Sequence, residues 1–469
     1  MRQSSGKISQ EVFLLILVIA ISAFAALIWM PATVGQSTGT TEQIDVSGSG
    51  ARANIGSEVK ISLNADGRFV AFSSGASNLA PEQDLIQDIF VRDRASGTTE
   101  LVSKNSSSEP SDGVSIDPEI SANGRYVVFT SDATNLVPGD TNQCFNSLLD
   151  ETYVPGDCPD IFVHDRESGH TERVSVSSAG EQANNQSYAP AISADGRYVT
   201  FGSKATNLIP NDPNFSGLFI RDRHAGITMR VPIAIAAKGD YSITPDARYI
   251  AYTGLSNGKY AINVYDRQTG VNEQISAPLP RRSLDGDSTN PVMSADGRYV
   301  AYTSRATTLV AGDTNLRRDV FVYDRLNRVT ERVSVSSAGA QANGDSTPGI
   351  YSSWVAISAD GRRVAFSSSA TNLASGDTNT CSLFPGPGQC PDIFVRNRET
   401  GMTSRVSLTL SGGEANNASY RAVMSSDGNV LAYISLATNL GAGDTASPSC
   451  NPFSFSVKRC QHIFARFTP

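Results

Sequence analysis

The chain is short of the residues that metal and nucleic-acid chemistry draw on. It has four histidines (His164, His170, His224 and His462), six cysteines with no CxxC pair, and only seven lysines among 38 basic residues. Scattered histidines and unpaired cysteine spacings leave zinc without a ligand set. The arginines recur at fixed places, in DGR, RDR and TER phrases, and are expected to pair with Asp or Glu inside each repeat. With a formal charge of -8, that pattern offers no basic groove for nucleic acid. Helical periodicity is missing after Met30, where apolar residues alternate with a period of two.

What is abundant is one phrase, repeated. ISADGRYVTF at residues 192–201 is one of seven copies, with small changes, between Ile61 and Tyr433. Self-similarity at tens of residues marks a solenoid, propeller or array. In the second unit, strand A is expected near 117–122, strand B at 125–131, strand C at 160–166 and strand D at 171–176. Asn123-Gly124 and Ser168-Gly169 supply tight turns. Four antiparallel strands make one propeller blade. The seventh unit ends after its third strand, and TEQIDVSGSGARAN at 41–54 matches TERVSVSSAGEQAN at 171–184. Residues 42–47 are therefore expected to complete the seventh blade and remove the free sheet edges. The fold class read from the sequence is all-β, a seven-bladed β-propeller of four-stranded antiparallel blades over 42–469, preceded by one transmembrane helix.

The SADGRYVAF and DIFVRDR phrases resemble the propeller repeats of TolB-like, WD-type bacterial families across nearly all of 42–469. The resemblance implies an exported, protein-binding module. The chain departs from TolB itself in its blade number, its apolar N-terminal run and the absence of a recognisable extra N-terminal domain.

Val12 to Met30 is an uncharged apolar run of 19 residues, long enough to span a hydrocarbon core. Arg2 and Lys7 precede it and no cation follows until Arg52, which puts residues 1–11 in the cytoplasm, 31–41 as a linker, and the propeller outside. Three readings of the run stand side by side. An uncleaved anchor is favoured by length. A cleaved signal peptide has only a weak site at 33–35, and Gly6 followed by Glu11 resembles a prepilin-type leader.

In an exported chain the cysteines are expected as disulfides, and the repeat register selects Cys144 with Cys158, Cys381 with Cys390, and Cys450 with Cys460. The loops they close carry Phe145, Tyr153, Phe384, Phe453 and Phe455, the candidate partner-binding residues. Connections B to C and D to A are expected to be long and to share one face, where recognition concentrates. The GDTN phrases set Asp140, Asn142 and Asp160, then Asp313, Asn315 and Asp319, then Asp377, Asn379 and Asp392 at spacings that suit calcium. Their simpler role is to satisfy loop amides as Asx-turns, so no cofactor is expected and structural calcium is the alternative. Gly254 to Gly258 matches the G-x-S-x-G nucleophile pattern but stands in a strand-to-strand loop. No unit-specific cluster of His, Asp or Glu is legible in the sequence. The expected function is a non-enzymatic scaffold for protein or glycan at the cell envelope. The alternative is a propeller hydrolase with carboxylates at the central channel.

Overall fold

The turn that punctuates each repeat builds itself from its own side chains. In the third blade Ser193 Oγ donates to Asp195 Oδ1 at 2.6 Å. The same oxygen accepts from the Arg197 amide at 2.9 Å, and the Tyr198 amide donates to Ser193 Oγ at 2.8 Å. Gly196 then adopts φ of 75°, and a Cβ there would run into the Tyr126 ring of the preceding blade. The recurring Asp and Gly thus close a turn and admit a neighbour's aromatic ring.

The computed structural model describes residues 39–81, 86–144, 156–212, 216–235, 240–347, 355–381, 388–441 and 461–468. Among them no helix is long and apolar enough to cross a membrane, and the apolar run at 12–30 lies outside the described residues. Seven four-stranded antiparallel sheets follow one another along the chain. Blade 2 is representative, with strands A to D at Ser115–Ile120, Tyr126–Ser131, Asp160–Asp165 and His170–Arg173. Blade 7 consists of Ser419–Met424, Val430–Ser435, His462–Phe467 and, from the other end of the chain, Thr41–Gln43. Thr41 lies opposite Arg466 and Gln43 opposite Phe464, and the Ile44 amide reaches the Ile463 carbonyl at 2.8 Å. The closing strand is the one expected from the sequence, beginning at Thr41.

The core lies between blades. Val128, Ile161 and Val163 of blade 2 pack with Val199, Phe201 and Phe219 of blade 3 in one buried cluster. Strands B and C of a blade present facing rings, such as Phe129 with Phe162 and Phe201 with Phe219, each pair 6.0 Å apart. Hydrophobic burial therefore sews each blade to the next.

The DGR arginine and the second RDR arginine have different tasks, which corrects the expectation that arginines pair only inside their repeat. The DGR arginine does stay within its blade, as in Arg125 to Asp165 at 2.6 Å and Arg298 to Asp324 at 2.7 Å. The second RDR arginine crosses to the strand D glutamate of the preceding blade. These pairs are Arg94 with Glu42, Arg166 with Glu100, Arg223 with Glu172, Arg325 with Glu273 and Arg398 with Glu331. Arg223 also lies over the Tyr126 ring at 4.6 Å and donates to the Gly196 carbonyl. A planar fork that pairs, stacks and caps a turn at once is work lysine cannot do, which accounts for the scarcity of lysine.

Blade 4 departs from the expected loop pattern. Its strands B and C, Tyr249–Ser256 and Lys259–Asp266, are joined directly through Asn257 and Gly258, both at positive φ. The B to C connection is therefore tight here, because Asn-Gly favours a two-residue hairpin. Ser256 is the last residue of a strand and bonds Gln274 Oε1 at 3.2 Å, with no helix to form a nucleophile elbow.

His164 is buried in strand C of blade 2, its Nδ1 at 2.8 Å from Thr171 Oγ1. That hydroxyl donates onward to the Lys104 carbonyl, so it accepts from Nδ1–H. Burial, reinforced by the Lys104 charge, brings the imidazole down to about 4. The unfolded chain takes up a proton below about 6.5 and the folded one does not until about 4, so stability falls as pH drops through that window. His164→Gln should flatten the pH dependence by roughly 3 kcal/mol between pH 6.5 and 4, read from urea midpoints of both proteins. Parallel curves for the two proteins would reject the assignment.

Candidate functional site

Around the central channel the repeat stops repeating. Strand A carries a β-bulge in blades 1, 2, 3, 5 and 7, and residues within it differ from blade to blade. Asp117, Ala189, Asn290 and Arg421 sit there at φ between 50° and 58°. A bulge turns side chains away from the regular alternation and is a common device beside sites. The result is a cavity of about 260 Å³ whose lining includes Lys60, Glu119, Pro190, Asp240, Tyr241 and Asn290, drawn from five blades. Its size suits one sugar-sized or amino-acid-sized group.

The cavity's charges are partnered. Lys60 Nζ is 3.1 Å from Glu119 Oε1 and 3.4 Å from the Pro190 carbonyl. Asp240 Oδ1 accepts from the Asn290 amide at 2.9 Å, and burial raises its carboxyl above the usual range. The Tyr241 hydroxyl donates to the Ala189 carbonyl, and burial pushes its phenol far up, so it stays a donor at any ordinary pH. This convergence corrects the expectation that no unit-specific charged cluster exists. The sequence signal was present as variation, VKI, DPE, APA, NPV and RAV preceding otherwise constant turns, but only the ring brings those triplets together.

The long-loop face is also built as expected in part. The QAN phrase of one D to A loop binds the ATNL phrase of the next B to C loop. The Thr206 amide donates to Asn184 Oδ1 at 2.9 Å, and Asn207 Nδ2 donates to the Gln182 carbonyl at 2.7 Å. Both loop sets therefore share a face, and these phrases are architectural. Disulfides join Cys144 to Cys158 and Cys381 to Cys390, with Cα atoms 5.1 and 5.0 Å apart, each closing a two-residue-per-strand hairpin. Cys450, Cys460, Phe145, Tyr153, Phe384, Phe453 and Phe455 lie outside the described residues.

The three Asp-Asn-Asp sets do come together, and each encloses an arginine. In blade 2, Arg173 Nη1 stands 3.0 Å from Asp140 and 3.5 Å from Asp160. Gln182 Nε2 donates to both carboxylates, at 2.6 and 3.1 Å, and Asn142 Nδ2 donates to Asp160 at 3.3 Å. In blade 5, Arg332 stands 2.9 Å from Asp313, and Asn315 Nδ2 donates to Asp319 at 2.8 Å. Blade 6 has Arg405 among Asp377, Asp392 and Glu414. Burial pushes Asp160 and Asp319 up to about 6 and Asp392 to about 7. The arginines are the third residues of the TER and TSR phrases, and they take the place that the spacing alone offers to calcium.

No protein-family model and no curated protein sequence matches the chain. Among solved structures it is similar to oligogalacturonate lyase from Vibrio parahaemolyticus, at 11% identity over 92% of this chain and 99% of that one, with a TM-score of 0.50. An oligogalacturonate lyase in complex with manganese matches at 9% identity over 92% and 99%, also at 0.50. TolB from Acinetobacter baumannii matches at 15% identity over 67% of each chain, with a TM-score of 0.36. The likeness to the two lyases is one of fold, a β-propeller.

Proposed function

We propose that this chain is an extracytoplasmic binding module, tethered by its apolar N-terminal run, that holds a protein or glycan partner at the long-loop face and the channel beneath it. Support comes chiefly from the channel carboxylates, which are already engaged: Glu119 by Lys60, and Asp240 by a backbone amide. A general acid or base needs a free lone pair or proton aimed at substrate, whereas partnered charges suit recognition. The two disulfides fit an oxidising compartment outside the cytoplasm. The histidines described in strand C are likewise committed, His164 to Thr171 and His462 to Asp45 at 2.7 Å.

A second reading, a glycan-active enzyme, draws on the fold shared with two oligogalacturonate lyases and on the sugar-sized cavity. Full-length protein and a Lys60→Met/Glu119→Gln double variant, close in shape and neutral, separate the two. Immobilised wild-type protein is expected to retain envelope glycan or protein that the variant releases, with the bound material chemically unchanged. Turnover of oligogalacturonate by the wild type and not by the variant would replace binding with catalysis.

A further inference from the structure

The same constellation of residues occurs in blades 2, 5 and 6, and in blade 6 it is out of balance. Blades 2 and 5 place a glutamine, Gln182 or Gln341, in the loop after strand D, while blade 6 places Glu414 there. Glu414 takes the arginine for itself. Arg405 Nη1 is 2.8 Å from Glu414 but 3.7 Å from Asp377 and 3.6 Å from Asp392. Asn379 donates to the Ala415 carbonyl at 2.6 Å, as Asn142 and Asn315 do to Ala183 and Ala342, but unlike them it does not also donate to the strand C aspartate.

Three buried acceptors are left over. Asp377 Oδ1, Asn379 Oδ1 and Asp392 Oδ2 have no hydrogen-bond donor, and the Asp377 and Asp392 side chains are 2% and 0% exposed. Asp377 makes no hydrogen bond with either oxygen among the contacts described, whereas Asp140 in the same place receives one from Gln182 at 2.6 Å. Three carboxylates against one guanidinium leave two negative charges, where blades 2 and 5 leave one. Buried acceptors without donors are costly to desolvate, the more so when charged.

We infer that blade 6 binds one hard divalent cation of the Ca²⁺ class between Asp377, Asp392 and Glu414, with Asn379 as a neighbouring oxygen donor. Ligand oxygens of the three carboxylates lie within 4.8 Å of one another. Oxygens on opposite sides of calcium, each at 2.3–2.6 Å, are about 5 Å apart, so the set fits one ion with water completing the shell. A divalent charge also cancels the local excess. The ion would tie the loop closed by Cys381 and Cys390 to the loop after strand D, fixing one sector of the long-loop face. Blades 2 and 5 each have one orphaned oxygen as well, Asn142 Oδ1 and Asp313 Oδ1, but with one carboxylate fewer their guanidinium leaves a single negative charge.

The test uses full-length protein stripped with chelator and titrated with Ca²⁺ by calorimetry at pH 7.5, with thermal unfolding followed in parallel. Glu414→Gln recreates the blade 2 and blade 5 arrangement and should fold normally. Wild type is expected to bind one Ca²⁺ and unfold at higher temperature when loaded. Glu414→Gln and Asp377→Asn should each lose at least tenfold in affinity and lose the thermal shift. No saturable Ca²⁺ binding by wild type, or equal binding by wild type and a folded Glu414→Gln protein, would overturn the inference.

Discussion

A chain that starts at residue 48 is expected to lose about 5–10 kcal/mol relative to one that starts at residue 39, and to expose an open edge in blade 7. The three-residue ladder of Thr41–Gln43 and the Ile44 amide would go, each hydrogen bond contributing about 0.5–1.5 kcal/mol net. Ile44 and Val46 are buried, and withdrawing each exposes apolar surface that contributes about 1.5–3 kcal/mol. Glu42 would no longer meet Arg94, breaking the ion pair between the last blade and the first. Since whole domains are stable by about 5–15 kcal/mol, the shorter chain should populate unfolded or aggregated forms at room temperature. Urea unfolding and size-exclusion chromatography of the two proteins check this. Superimposable transitions and elution would show that the ring does not depend on its closing strand.

The second large effect is expected at Phe162. It is fully buried in strand C of blade 2, 6.0 Å from Phe129, and it packs into the cluster shared with blade 1. Phe162→Ala should cost about 3–5 kcal/mol, the range for deleting a buried ring from a core that collapses only partly. Leu326→Ala, at a residue 72% exposed, is the matched control and should change stability by less than about 0.5 kcal/mol. Chemical denaturation of both variants reads the difference. Similar losses from the two would mean that burial does not govern the stability of this ring.

The architecture was legible because each repeat encodes its own geometry locally. Ser193, Asp195 and Gly196 close a turn with atoms a few residues apart, and Phe201 faces Phe219 through simple alternation. Even the closing strand could be found, since TEQIDV is a copy of TERVSV displaced to the other end. Contacts between blades were not legible in the same way. Arg223 and Glu172 are separated by 51 residues, and nothing local distinguishes a partner in the preceding blade from one in the same blade. The channel was hidden for a related reason. Lys60, Glu119 and Asp240 come from different blades, and bulges in blades 1 and 2 disturb the strand's period of two around Lys60 and Glu119. Glu414 stood in plain view as EAN against QAN, but its meaning depended on Arg405 and on the donors that Asp377 lacks.

The set of crossing arginine–glutamate pairs has two gaps. Between blades 3 and 4, Met229 stands where the other strands D carry glutamate, although Arg267 still lies over the Tyr198 ring. Between blades 6 and 7, Ser404 and Thr468 replace both partners. The remaining five pairs bind blades 7, 1, 2 and 3 into one arc and blades 4, 5 and 6 into another. The arginine–glutamate pairs thus divide the seven blades into runs of four and of three, with the closing strand inside the larger run. At the seam between blades 6 and 7 a different arginine crosses, Arg363 donating to the Gly428 carbonyl at 2.9 Å and to Thr468 Oγ1 at 2.6 Å.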